Sequence, residues 1–327
     1  MNIRRVLLIV FVLTLADISV SAQTSFTTKS AQDCSQLVVN HSYSQTFQGF
    51  LNIPAYFASF GVPSPPGMGL VPNGGTGYLT FLPHGKLSGR VTLAIGLLGL
   101  IPDLQPDETS QYTLTWDTSN KPPLCSGTLT MNVPGEDSFH FQLVASEDGQ
   151  QIEMIHTDPG LIVSVTGTRV RTAGCSNNSV QGKFAANARG WLLSPDSGPM
   201  HFPPEQLLSG YAPFAFSGGL QFQARMSPSP VDFPEAPEGA ASTSGWDTIS
   251  LNGLILSRTE RGWYKINPDC TGTMTLRDDL GNPDFHLELF VGERGDSVHM
   301  VNVDAIPDTG VPLFVLGMTV TRDAGPR

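Results

Sequence analysis

The chain of 327 residues carries 29 acidic against 18 basic side chains, a net charge of −11, which excludes a nucleic-acid interface and an anionic membrane surface as natural partners. Glycine (34) and proline (26) are abundant and charged residues make up only 14%, a mix that favours short strands and turns over helices. An apolar content of 40% is enough to build cores and excludes wholesale disorder.

The first residues read as an export signal. Arg4 and Arg5 precede an apolar run from Val6 to Leu15, and Ser19-Val20-Ser21-Ala22 offers small residues for cleavage after Ala22. The run is shorter than the roughly 20 residues of a membrane span. A retained anchor is the alternative; no span is expected after cleavage. Losing residues 1–22 removes Arg4, Arg5 and Asp17 and takes the charge from −11 to −12. The expected location is secreted, extracellular or periplasmic. The remaining length suits two domains of about 150 residues.

A first unit, 34–172, begins near Cys34. Gln48 to Phe57 is a predicted strand interrupted or bent at Pro54, and Gly61 to Gly77 a loop. Tyr78–Phe81 and Leu87–Leu93 form a predicted hairpin around Pro83-His84-Gly85. The apolar stretch Val91 to Leu104 reads as a buried strand plus a turn. Further strands are expected over 110–116, 125–132, 138–145, 151–157 and 161–171.

A second unit, 175–322, echoes the first. Gly182-Lys-Phe matches Gly49-Phe-Leu, and Gly219 to Phe222 matches Gly77 to Thr80. The Pro-rich, acidic stretch 227–245 has no period and is expected to be a long mobile loop. Trp263 to Leu276 reads as strand, turn and a strand opening at Cys270, as do Tyr112 to Trp116 and Cys125 to Met131. Phe285-His-Leu-Glu-Leu289 repeats Phe139-His-Phe-Gln-Leu143, and Gly310 to Gly317 repeats Gly160 to Gly167. Each unit thus offers about eight short strands in sequence. The expected fold is all-β: two tandem antiparallel up-and-down barrels, with β-sandwiches as the runner-up.

An even cysteine count in an exported chain favours disulfides. Three pairings are possible. The repeat selects Cys34–Cys125 and Cys175–Cys270, one cysteine at the start and one at the central turn of each unit. No Cys-x-x-Cys pair or histidine cluster supports a metal site, and no phosphate, dinucleotide or hydrolase motif calls for a cofactor.

The Phe-x-x-x-Gly-x-Leu-Ser-Gly hairpin (Phe81 to Gly89) and the Cys-Thr-Gly-Thr turn (Cys270 to Thr273; Cys125-Ser126-Gly-Thr128 in the first unit) resemble a group of uncharacterised secreted bacterial proteins. Such units are broadly similar to calycin-type barrels, the architecture of lipocalins and allene oxide cyclase-like domains. The resemblance implies a barrel and transfers no activity.

Few residues stand out as candidate sites. His140 and His286 occupy like positions, on the strand face opposite Phe139 and Phe285; surface histidines are the plain reading, and catalysis would need an oriented partner. Tyr112 and Tyr264 either line a lumen or pack in the core with bonded hydroxyls. Asp158 and Asp304 follow strands, where turn chemistry accounts for them. Asp278, Asp279 and Asp284 around a glycine turn suit a solvated hairpin better than calcium. Asn40 and Asn177 match glycosylation acceptors, without meaning in a bacterial chain. These features suggest an exported two-barrel protein, more a binder of a small apolar ligand than an enzyme. A cyclase or isomerase, or a structural cell-surface module, are the alternatives.

Overall fold

The computed structural model describes residues 33–59, 61, 63–64, 69–96, 99–118, 123–134, 138–194, 207–208, 210–223, 233–252, 254–281, 284–305 and 314–323. The expected signal segment, 1–22, lies outside them.

The first barrel contains β1 (His41–Asn52), β2 (Leu70–Leu82), β3 (Lys86–Ile95), β4 (Gly99–Leu104), β5 (Gln111–Asp117), β6 (Leu124–Met131), β7 (Phe139–Ala145), β8 (Gln151–His156) and β9 (Leu161–Val170). The order is β2-β1-β9-β8-β7-β6-β5-β3, closed by β2–β3 pairing, with β4 as an extra strand on β3. Eight strands therefore complete the wall and abolish its edges. The second barrel is a closed sequential ring of β10 (Gly182–Leu193), β11 (Tyr211–Gln223), β12 (Ala241–Leu251), β13 (Leu254–Ile266), β14 (Thr271–Asp278), β15 (Phe285–Val291), β16 (Ser297–Asn302) and β17 (Phe314–Arg322). Neighbouring strands are antiparallel in both.

Alternation sets which side chains fill each tube. In β8 the burial alternates from exposed Gln151 to buried His156, and in β7 Phe141, Leu143 and Ala145 point inward. Each barrel core carries a trio of edge-on aromatic rings. Tyr43 packs edge-on against Phe81 at 5.4 Å, and Phe81 against Tyr112 at 4.8 Å. Phe184, Phe222 and Tyr264 do likewise at 5.2 and 4.9 Å. Disulfides Cys34–Cys125 and Cys175–Cys270, 91 and 95 residues apart in sequence, tie the turn before β1 or β10 to the barrel wall.

Four expectations are corrected. The strand expected to run to Phe57 stops at Asn52, and α1 (Ile53–Ser59) follows. The Asn52 side-chain oxygen accepts from the Ala55 backbone N–H at 3.2 Å, and proline fits the first helical turn. Residues 70–77 are strand, not loop. A Cβ at Gly75 or Gly77 would lie 2.3 Å from a carbonyl of β3, so these glycines allow close strand approach where they read as turn residues. The stretch 227–245 is not one long loop. Its residues 227–232 lie outside the described residues, Phe233 and Ala240 are buried against Trp263, and β12 starts at Ala241. Finally, the ladders pair Ile152 with Gly167 and Val298 with Val320, so Gly167 corresponds to Val320 and not to Gly317. By the same reasoning Gln45 corresponds to Ala186 and Gly77 to Gly218, which shifts the expected matches of Gly77 with Gly219 and of Gly49 with Gly182.

The described residues form one compact unit. The outer faces of β1 and β2 pack on those of β16 and β17, with Gly317 against Thr46 and Gly74 against Val315. This seam is partly polar. Ser44 Oγ, Thr46 Oγ1 and His299 Nε2 are buried in it without a protein partner, while His299 Nδ1 meets Thr319 Oγ1 at 3.0 Å. Tyr78 and Arg90 flank it against Phe290.

Candidate functional site

The first lumen contains a cavity of about 180 Å³. Its wall is apolar: Phe47 from β1, Val91 from β3, Leu104 from β4, Met131 from β6, Phe141 from β7 and Val163 from β9 are among the residues that line it. Tyr56 of α1 covers the mouth, and the helix is held there by Leu51, Ile53 and Val71. Gly160 lets α1 approach, since a Cβ there would fall 2.6 Å from the Tyr56 nitrogen and its φ is +86°. The space slightly exceeds the ~150 Å³ apolar cavity that takes up benzene.

Two polar side chains reach this wall, His156 and Asn73. The His156 ring packs edge-on to Phe141 at 4.9 Å. Its Nδ1 accepts from the Asp158 backbone N–H at 3.2 Å, and its Nε2 lies 3.1 Å from Asp158 Oδ2, out of line for a hydrogen bond. Both nitrogens are thus turned to Asp158. Burial pushes the His156 pKa down, against the opposing pull of Asp158, so the ring is neutral at pH 7.

The second lumen places different chemistry at the same points. The ladders set Asp247 where the first barrel has Val91 and Arg258 where it has Leu104. Arg258 donates to both oxygens of Asp247 at 3.0 Å and to Asp278 at 3.1 Å, and it lies 2.7 Å from Glu260. Phe314, edge-on to Phe214 and Phe285, fills the end that α1 covers in the first barrel. The space left beside the Arg258 cluster is about 20 Å³. A third hollow, an open groove of about 560 Å³ past Gln48, Trp191 and Asn252, lies between the barrels and leaves its occupant wet.

The expected site residues fall outside the cavity. His140 and His286 are half-exposed, at 50% and 49%, on the outer wall. The structure joins each to the aspartate that sequence had assigned to a turn. His140 Nδ1 meets Asp158 Oδ1 at 2.7 Å and its backbone N–H donates to Oδ2; His286 and Asp304 repeat this at 2.6 Å. A histidine oriented by a carboxylate is half of a catalytic relay, yet here it pins β7 or β15 to the strand that follows. Tyr112 and Tyr264 are core residues, their hydroxyls donating to the carbonyls of Leu82 and Asn177. All four cysteines are bonded, and no cluster of three metal-binding side chains occurs among the described residues. Asp278 and Asp284 pair with arginines, and Asp279 bonds Thr259. The cavity residues were invisible in sequence because each is an ordinary inward position.

Two buried groups give opposite pH dependence. Burial, reinforced by Asp247 and Asp278, raises Glu260 from 4.5 to about 7 despite Arg258; burial lowers His299 from 6.5 to about 4. The Glu260 contribution is full below pH 4.5 and lost as pH rises through 7. The His299 contribution is full above pH 6.5 and lost as pH falls through 4. Each is worth about 3 kcal/mol, so they offset between. Glu260→Gln should therefore unmask His299: the melting temperature, followed by calorimetry, should fall from pH 7 to 4.5 more steeply than in the wild type. Carboxylates lowered by hydrogen bonds, such as Asp284 beside Arg277, titrate below this window.

No protein family and no curated protein matches the chain. Among solved structures, a protein of unknown function of the DUF3598 family from Nostoc punctiforme PCC 73102 aligns with 90% of this chain and 100% of its own, at 11% identity and a TM-score of 0.22. At that level the likeness carries no argument about the site.

Proposed function

We propose that this is an exported protein whose first barrel holds a small, mostly apolar ligand, while the second barrel serves as a closed companion. The observation that carries the reading is the contrast between two lumens of one design: about 180 Å³ of apolar space under α1 in the first, and an ion cluster with about 20 Å³ in the second. Concave apolar walls with one or two polar groups are the usual character of small-ligand sites. The two disulfides fit an oxidising compartment, and no helix among the described residues is long and apolar enough to cross a membrane. The isomerase alternative is less favoured, because the histidine at the wall has both nitrogens directed to Asp158.

A cavity-filling variant tests the reading. Saturation with toluene should raise the wild-type melting temperature by a few degrees, because ligand at ~100 times its Kd stabilises by about 2.7 kcal/mol. Val163→Phe should fold, yet show no shift. Mass spectrometry of the native protein should find a small apolar molecule co-purifying with the wild type only. A wild type that neither shifts with toluene nor carries such a molecule would overturn the proposal.

A further inference from the structure

The seam joins unlike faces of the two barrels. At its apolar end Ala94 and Leu100 of the first barrel pack with Tyr211, Val315 and Trp191 of the second. Val301 is buried on the outer face of β16, and Arg90 reaches over the Phe290 ring at 5.9 Å. The ladders give each of these positions a counterpart in the other barrel. Leu70 of the first barrel stands where the second has Tyr211, Ile162 where it has Val315, and Ile155 where it has Val301. Ile255 of the second barrel stands where the first has Leu100, and Trp246 where it has Arg90. All five counterparts face water, from 39% exposed for Leu70 to 61% for Ile255. Only Leu124 and Leu280 join them as exposed large hydrophobic residues among the described residues.

Single apolar side chains scattered over a surface need no explanation, but these five are not scattered. Leu70, Ile155 and Ile162 mark on the first barrel the face that the second barrel brings to the seam. Trp246 and Ile255 mark on the second barrel the face that the first brings. Each barrel thus carries, uncovered, the half of the seam that it does not use. We propose that these two faces bind each other between copies of the chain, the second barrel of one copy docking on the first barrel of the next as the two barrels dock within one chain. Ile255 then takes the place of Leu100, against Ile162 and Leu70 in place of Val315 and Tyr211. Charge agrees with the pairing: exposed Glu153 stands beside Ile155 on one face, and exposed Lys183 and Arg189 of β10 flank the other. The fit is not a copy of the seam atom for atom. Ala215 and Ser164 stand where the seam has Gly74 and Gly317, so the copies meet slightly further apart, and the larger Trp246 and isoleucines span the distance. A contact between unlike faces is heterologous, and its repetition builds a ring or an open filament.

Sedimentation of the full disulfide-bonded protein tests this. The average mass of the wild type should rise between about 1 µM and 1 mM, the range of ordinary reversible contacts. Ile162→Lys blocks one face and Ile255→Lys the other. Both side chains are exposed, so each variant should melt as the wild type does, and each alone should stay monomeric. Mixed in equal amounts, the two should form one-to-one dimers and nothing larger, because one intact pair of faces remains. Ile155→Lys with Trp246→Lys should repeat the result on the same faces. A wild type that stays monomeric up to about 1 mM would overturn the proposal. So would a single variant that still associates, the sign of like faces pairing, or a mixture no heavier than its parts.

Discussion

Arg258→Met should unfold the protein at a urea midpoint far below that of the wild type, at a cost of about 3–5 kcal/mol, the range for breaking a buried charge set by removing one partner. The guanidinium is the only cation of its cluster among the described residues, and it bonds or closely approaches Asp247, Glu260 and Asp278. Asp247 and Glu260 face a lumen shared with Leu276 and Met318. Without the arginine each must either take up a proton or remain charged in apolar surroundings. The loss should accordingly be larger at pH 8 than at pH 5, since Glu260 already titrates near 7. Adding Asp247→Val and Asp278→Val should recover much of the stability, because the first barrel builds the equivalent row from Val91, Leu104 and Val133. If the single variant and the triple variant share one midpoint, the cluster contributes nothing through its charges.

Removing either disulfide should have an effect of similar size. Crosslinks closing loops of 91 and 95 residues restrict the unfolded chain by about 4–5 kcal/mol each in the loop-entropy account. Cys34→Ala with Cys125→Ala acts on the first barrel, and Cys175→Ala with Cys270→Ala on the second. Because β1 and β2 bury their outer faces on β16 and β17, either pair of substitutions should lower one common melting transition. Calorimetry with two separated transitions, only one of them moved, would show that the seam between the barrels contributes little to cooperativity.

The barrels were legible in sequence because inward and outward residues alternate cleanly where both neighbours are regular, as in Phe139 to Leu143 and Gln151 to His156. The turn at Asn267-Pro268-Asp269 was legible for its local chemistry, with the Thr271 N–H donating to Asp269. What escaped depended on contacts between distant strands. Residues 70–77 looked like a loop because glycine serves both turns and close strand approach. Asn52-Ile-Pro54 carries a helix cap, a pattern that also reads as a break or bend in a strand. The shift of the last strand, Gly167 against Val320, cannot be found by matching glycines, since one barrel uses glycine where the other uses valine. His140 and Asp158 were each noted, yet nothing local told that they meet. The cavity itself is a difference of volume: Phe314 and Arg258 fill one tube, and Leu161 and Leu104 leave the other open.

β1 is a party wall. Phe47 and Gln45 face the first lumen, while Ser44 and Thr46 on the same strand lie in the seam against the second barrel. A rigid ladder on both sides leaves this strand no slack, so a guest that displaces Phe47 also presses on Gly317 and β17. If the first compartment holds a ligand as proposed, amide hydrogen exchange along β17 should register cargo on the far side of the partition.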